Sequence, residues 1–443
     1  MKTLREKDLD HLVRLMVPVD KYAKRGPEII VESHGCIVKR HDGKELLDFN
    51  GGGAVSVNVG YGRKELAEAA MAQMVKHHWV TQYGWYSNAT TIEYAHKLAE
   101  VTPEGLKRFC FTPGGGSDAV DTAIKMARLY WRNKGKDKYK VVSRLRSYHG
   151  TTYGAVSATG IEAFWKDLGP LLPGFVHIPP PYCYRCPWGK EYPGCEIECA
   201  QALDEGVKKE GKDTVAAFIA EPVIGVGGCI PPPPEYWPMI EQICNEHNIL
   251  LIIDEVMTGF GRTGKFFAVE HWNIKPDIMT MSKGITSSYL PLGGVAITED
   301  IYEGITPAGK AFYHVFTTTG HPVSCAVAMK NLEIIIRENL VANAERVGKY
   351  TMNRLQEFKE LPCVGNVHGL GLMMGIDLTK NKATKAKIEP DTGVQLVLDA
   401  LDRGLMIRQF DGIVFVAPPL IISPEEIDRG LDILKPLLTK LKI

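Results

Sequence analysis

No apolar run in the 443-residue sequence approaches the ~18 residues of a membrane-spanning helix. The N-terminus, MKTLREKDLD, is charged and lacks the apolar core of a secretory signal. A cytoplasmic protein is the expectation. Neither sign of charge is in surplus, since 52 Lys+Arg face 52 Asp+Glu. That balance leaves no basic field for nucleic acid or an acidic membrane surface. Internal repeats and low-complexity tracts are also missing. What is present is an ordinary globular composition, 45% apolar, in a chain long enough for about two domains.

The most informative stretch is residues 249–294, opening ILLIIDEVMTGFGRTG and closing DIMTMSKGITSSYLPLGG. Ile249 to Ile253 is wholly apolar and ends abruptly in Asp254 and Glu255. Such a run reads as a parallel strand buried on both faces. In open α/β sheets, ligands bind beyond the carboxyl ends of these strands. Asp254 is thus a carboxylate carried out of a core, and it needs a cationic or donor partner. A second apolar run at 277–281 delivers Ser282, Lys283 and Gly284. Asp254 and Lys283 read either as a plain salt bridge or as two grips on one cofactor. Pyridoxal phosphate suits the second reading: a lysine holds it as a Schiff base and a carboxylate pairs with its protonated pyridine nitrogen. With these residues in view, DEVMTGFGRTG followed by SKG resembles the class III aminotransferases, pyridoxal-phosphate enzymes of fold type I.

Other segments carry the same resemblance in the same order. RFCFTPGGGSDAVDTAIKMARLYW reads as strand, glycine loop and helix start, where free N–H groups and the helix dipole face an anion. Gly115, Gly116 and Ser117 fall where the family has its phosphate cup, and no Walker lysine follows. Tyr148 and His149 match a (Y/F)-H-G motif whose ring lies on one face of the pyridine, with Val256 on the other. Glu221, ending the strand of AAFIAEP, is a structural ion-pair member or, by resemblance, a neighbour of the cofactor. Thr317 matches the threonine that reaches the phosphate of the neighbouring subunit, which implies a homodimer with composite sites. Arg408 stands ten residues before Pro418, the spacing of the arginine that binds substrate carboxylate in amine-type relatives. Many of those have Trp where this chain has Val55, so a wider or reshaped pocket is expected. Trp79, Tyr83, Trp85 and Tyr86 are assigned to the core or a subunit contact, with Trp85 among the candidates for the pocket.

Local patterns give further expectations. Leu9, Leu12, Leu15 and Met16 have the helical spacing of one buried face over residues 7–24. Asp42-Gly43 signals a hairpin with a type I′ turn. Cys183, Cys186, Cys195 and Cys199 read as a zinc or iron-sulfur site, or as disulfides or plain thiols on a surface excursion. The loose C-x-x-x-C and the lack of histidine favour the latter, and no metal is assigned.

The resemblance therefore implies an α/β protein with the type I fold: a large, mostly parallel sheet domain and a smaller α+β domain. The expected division is an N-terminal segment at 1–65 packing with the small domain, the large domain at 66–325, and the small domain at 326–443. The implied activity moves an amino group from an omega-amino acid or primary amine to a keto acid such as pyruvate. Lys283 carries the chemistry and Asp254 holds the ring nitrogen protonated. An amino-acid racemase or epimerase of the same fold is the alternative, and a non-catalytic cofactor-binding or assembly protein is a third reading.

Overall fold

The computed structural model describes residues 2–441. The chain opens with two short helices, Leu4–His11 and Val19–Arg25, neither of which buries a residue. This corrects the expectation of a buried face over 7–24: Leu12, Leu15 and Met16 stand open to solvent. Helical spacing made the helices legible, but spacing says nothing about whether the same chain supplies something to cover them.

Three strands follow: β1 (Ile30–His34), β2 (Ile37–Arg40) and β3 (Glu45–Asp48). The β2–β3 hairpin turns at Asp42-Gly43, but not by a type I′ turn. Gly43 has φ +87° while Asp42 stays in the ordinary region, and Gly43 N–H donates to the Arg40 carbonyl at 2.9 Å. That is the three-residue loop ending in a left-handed glycine.

Seven strands then build the central sheet: β4 (Arg108–Thr112), β5 (Lys140–Arg144), β6 (Phe175–Ile178), β7 (Val215–Ala220), β8 (Leu250–Asp254), β9 (Ile278–Met281) and β10 (Gly293–Ile297). Their order is β4-β10-β9-β8-β7-β5-β6. β10 runs antiparallel to both neighbours, and the pairings among β5 to β9 are parallel. Every residue of β7 and β8 is buried. Burying a Leu, Ile or Phe contributes roughly 1.5–3 kcal/mol, so Phe218, Ile219, Leu251, Ile252 and Ile253 anchor the sheet. The helix Gly116–Asn133 covers one face through Ala119, Val120, Ala123, Ile124 and Ala127.

The remaining strands are β11 (Val364–Leu370), β12 (Met373–Leu378), β13 (Leu405–Met406), β14 (Arg408–Phe410) and β15 (Ile413–Val416). β13 adds in parallel to β3, joining the two ends of the chain in one sheet, β1-β2-β3-β13. The third sheet, β11-β12-β15-β14, is antiparallel. One continuous apolar cluster includes residues of all three sheets, Leu47, Ile253 and Val414 among them.

Candidate active site

Four adjacent strands of the central sheet end at one cavity. Asp254 closes β8, Glu221 follows β7, Lys283 lies two residues beyond β9, and Tyr148 and His149 lie on the loop after β5. With Gly116, Ser117, Val256 and Met257 they line a cavity of about 150 Å³. The alternation of apolar strand and polar tip that marked residues 249–294 thus reflects a sheet whose carboxyl edge is the floor of a site.

Asp254 is almost fully buried. Its Oδ2 pairs with His149 Nδ1 at 2.7 Å, while Oδ1 accepts from Val256 N–H at 3.0 Å and Thr280 Oγ1 at 3.1 Å. These three contacts fix the carboxylate, which still has acceptor capacity toward the cavity. His149 Nε2 is buried without a partner, as is Glu221 Oε2. The other Glu221 oxygen accepts from Gly225 N–H at 2.9 Å. Burial raises the Glu221 carboxyl, opposed by His149 and by Arg144, whose guanidinium donates to the Glu221 carbonyl.

The Lys283 side chain has no hydrogen-bond or ion-pair partner among the described residues, and its backbone is left-handed at φ +49°. Burial pushes its ammonium down to about 8; Asp254 and Glu221 oppose that shift, while Arg408 and Arg262 reinforce it. An amine so placed is about half neutral near pH 8, far more than an ordinary lysine, which suits both nucleophilic and base roles. It is not the plain salt bridge with Asp254 that spacing alone allowed.

The glycine loop meets the cavity at the start of the helix Gly116–Asn133, whose N-cap is Gly115 with no side-chain capping bond. The first N–H groups are therefore free for an anion. Gly115 has φ +130°, closed to other residues, and a Cβ on Gly116 would lie 2.8 Å from Val256 Cγ1. Asp118 turns away and accepts from Gly114 N–H at 2.7 Å.

Arg408, the first residue of β14, is partly buried, with its guanidinium 5.9 Å from the Phe415 ring centroid. Among the described residues its side chain has no ion pair and no hydrogen bond. Burial lowers its pKa, with Cys229 and Tyr148 opposing. It is a cation without an anion, close enough to Lys283 to repel its proton.

The other sequence-marked residues lie apart. Val55 is buried, belongs to one small apolar cluster with Met257, Phe415 and Cys229, and does not line the cavity. Trp85 is fully exposed, and Thr317 is exposed on the loop before the helix Pro322–Arg337; neither lines the cavity of its own chain. Tyr83 and Tyr86 are likewise exposed rather than in the core.

The four clustered cysteines line a separate cavity of about 20 Å³. All are free, and no group of three metal-ligating side chains able to hold an ion occurs among the described residues. Cys195 and Cys199 are buried, so the segment is not purely a surface excursion. Burial lifts the Cys199 thiol to about 12, which keeps it protonated.

Sequence reasoning missed Arg262, within GFGRTG. It is fully buried and donates to the Leu372 carbonyl at 3.0 Å, the Pro418 carbonyl, and Asn58 Oδ1 at 2.9 Å. Its role is to tie three distant segments around the site. Only a tertiary contact map could have revealed it. Val226, which lines the cavity, was also unmarked.

This arrangement has close relatives. The family model described as Aminotransferase class-III matches residues 21–438. A putrescine–pyruvate aminotransferase of Pseudomonas aeruginosa is 37% identical over 424 residues, covering 95% of this chain and 92% of that one. A leucine/methionine racemase of Thermococcus litoralis is 38% identical over 412 residues, covering 92% and 89%. The crystal structure of an (S)-enantioselective omega-transaminase from Thermomicrobium roseum superposes with TM-score 0.96 at 41% identity, covering 99% and 98%. The sheet order, the strand-tip site and these matches agree with the type I fold. The chain belongs to the class III aminotransferases, a family of pyridoxal-phosphate-dependent enzymes.

Proposed function

We propose that this enzyme transfers an amino group from an omega-amino acid or primary amine to a keto acid such as pyruvate, using pyridoxal 5'-phosphate. One observation carries the reading: Lys283, Asp254 and an uncapped helix start share a single cavity, with an unpaired guanidinium close by. The residues fit the cofactor. Free N–H groups at Gly116 and Ser117 suit its phosphate, the acceptor capacity Asp254 keeps beyond its three contacts suits its ring N–H, and Tyr148 and Val256 offer surfaces for the ring. When bound, pyridoxal phosphate supplies a carbonyl carbon that condenses with amines and a ring that accepts electrons from the adjoining carbon.

The chain's own residues do the rest. His149 orients Asp254 through the 2.7 Å contact. Lys283 Nζ would serve as the base that holds and moves the proton of the carbon bearing the amine. Arg408 receives the carboxylate of the keto acid in the two-pronged geometry that guanidinium favours. Keto-acid binding and amine binding then alternate in one pocket, a ping-pong cycle. Exposed Thr317 and Trp85 are read as contributions to the neighbouring subunit's site in a homodimer.

Similarity to the racemase supports a second reading, proton return to the same carbon. A panel of omega-amino acids and amines, each with pyruvate or 2-oxoglutarate, separates them. The proposal expects alanine from pyruvate in stoichiometry with a new carbonyl product. Inversion of a chiral amino acid without any keto acid would replace it by the racemase reading.

A further inference from the structure

Residues 225–228, a loop beyond β7, wall the cavity through Val226, and Gly225 N–H donates to Glu221 Oε1 at 2.9 Å. The loop is thin. A Cβ on Gly227 would lie 2.2 Å from the Arg146 carbonyl oxygen, and one on Gly228 would lie 2.4 Å from Ile413 Cδ1. It thus passes between the segment after β5 and the third sheet, with no side chain of its own at either contact. Glycine backbone has the most freedom to lose, so polar contacts from outside must fix this wall.

Arg146 supplies them. It stands two residues beyond β5 and two before Tyr148, left-handed at φ +66°. Its Nε and Nη2 donate to the Gly227 carbonyl at 3.2 and 2.7 Å, and its Nη1 donates to Asp411 Oδ2 at 2.6 Å. Asp411 is the tip of the β14–β15 hairpin, three residues beyond Arg408. With φ +51° at Asp411 and +78° at Gly412, the two-residue loop is a type I′ turn, which fixes the tip to both strands. The turn itself does not call for a charge, since Asn-Gly closes it as well. The same sheet adds a second tie: His368 Nε2 donates to the Gly228 carbonyl at 2.8 Å. Lys387 also pairs with Asp411 at 2.7 Å, but its side chain is 52% exposed.

We infer that the Arg146–Asp411 pair is a latch between the strand that carries Arg408 and the 225–228 wall, and that both are positioning residues. The inference rests on the proposed transamination. Neither residue lines the cavity. Together they fix the Arg408 strand relative to Val226 and Glu221, which do. With the pair broken, hairpin and wall move independently, and the guanidinium no longer meets a cavity of fixed shape. An amine without a carboxylate does not use Arg408 and is insensitive to that loss.

The test uses the holoenzyme in separate half-reactions with pyruvate and isopropylamine. Asp411→Asn removes the charge and keeps the turn. It is expected to weaken half-saturation by pyruvate about fivefold, with the saturating rate within about twofold. Arg146→Gln weakens it about tenfold, because the Gly227 contacts go as well. The isopropylamine half-reaction stays within about threefold in both. Lys387→Met leaves the latch intact and stays within about twofold throughout, since an exposed pair contributes little. In an Arg408→Gln background Asp411→Asn adds less than about twofold, because the group it positions is already gone. Amide hydrogen exchange at residues 222–230 rises in Asp411→Asn and Arg146→Gln but not in Lys387→Met, a readout independent of turnover. Asp411→Asn carries the test should Arg146→Gln not fold. An unchanged pyruvate constant, equal losses in both half-reactions, an undiminished effect in the Arg408→Gln background, or unchanged exchange overturns the inference. Absence of amino transfer to pyruvate in the unaltered enzyme sinks the proposed function instead, and exchange alone then decides whether the latch exists.

Discussion

Arg408→Gln separates a working guanidinium from a structural one. The substitution keeps the side-chain stem and removes the charge. In the proposed cycle the guanidinium meets the keto-acid carboxylate, and charged hydrogen bonds of this kind contribute about 1.5–3 kcal/mol. At about 1.4 kcal/mol per tenfold, kcat/KM for pyruvate is expected to fall about ten- to a hundredfold. An amine without a carboxylate forgoes that contact, so its half-reaction should stay within about threefold. Because Arg408 has no anionic partner among the described residues, its removal also relieves a partly buried, uncompensated cation. The melting temperature should therefore hold or rise. Arg408 also helps depress the Lys283 ammonium, so in the cofactor-free protein that ammonium should titrate higher once the guanidinium is gone. Stopped-flow half-reactions, a thermal melt and a pH series read the three effects. Equal losses in both half-reactions, or a melting temperature lowered by several degrees, would show that the guanidinium holds the fold rather than the acceptor.

Lys283→Ala should abolish turnover and the visible absorbance of the cofactor-bound enzyme. It should also change the pH dependence of stability in the cofactor-free protein. The native ammonium titrates at about 8 against 10.5 unfolded, so between those values the unfolded chain holds a proton that the native chain has released. Stability from this group rises with pH across that window, and urea midpoints of the variant should lack the rise. Gly116→Ala drives a Cβ against Val256, 2.8 Å away, and should weaken cofactor binding at least about tenfold by fluorescence titration; an unaltered Kd would remove this loop from the phosphate site. Light scattering should give a mass of at least twice the 49.0 kDa chain. Thr317→Ala should lower cofactor affinity in that assembly, and a monomer retaining full activity would defeat the composite-site reading.

Much of the central sheet was legible because chemistry and periodicity coincide there. β8 and β9 are unbroken apolar runs that stop at a charged or polar residue, so strand, burial and tip are readable together. The phosphate-cup candidate was legible for a similar reason: a glycine run between a strand and an amphipathic helix has few other uses. The misreadings share a different cause. Leu12, Leu15 and Met16 have helical spacing, but among the described residues nothing covers them, and spacing carries no information on that. The Asp42-Gly43 signal identified the hairpin but not its turn class, which depends on loop length as well as composition. Arg262 went unmarked within GFGRTG. Its importance arises from contacts with Asn58, Leu372 and Pro418, and spacing along the chain carries no record of those.

Adjacent residues Asp254 and Glu255 show why a motif cannot be read as a unit. Successive strand residues point to opposite sides, so one carboxylate enters the cavity and its neighbour enters the core. Glu255 accepts from Thr258 Oγ1 and from Val269 N–H at 2.9 Å, and it lines no part of the site. Burial lifts its carboxyl to about 7, with those donors opposing. Between 4.5 and about 7 the native state therefore keeps a proton that the unfolded chain has lost, and the group's contribution to stability falls as pH rises. Glu255→Gln should remove that fall while leaving kcat within about threefold. Urea midpoints measured across the window should converge toward, and then cross below, those of the variant as pH climbs. Parallel curves for the two proteins would mean that Glu255 is ionised throughout. A large loss of kcat would mean that the second carboxylate of the motif reaches the chemistry after all.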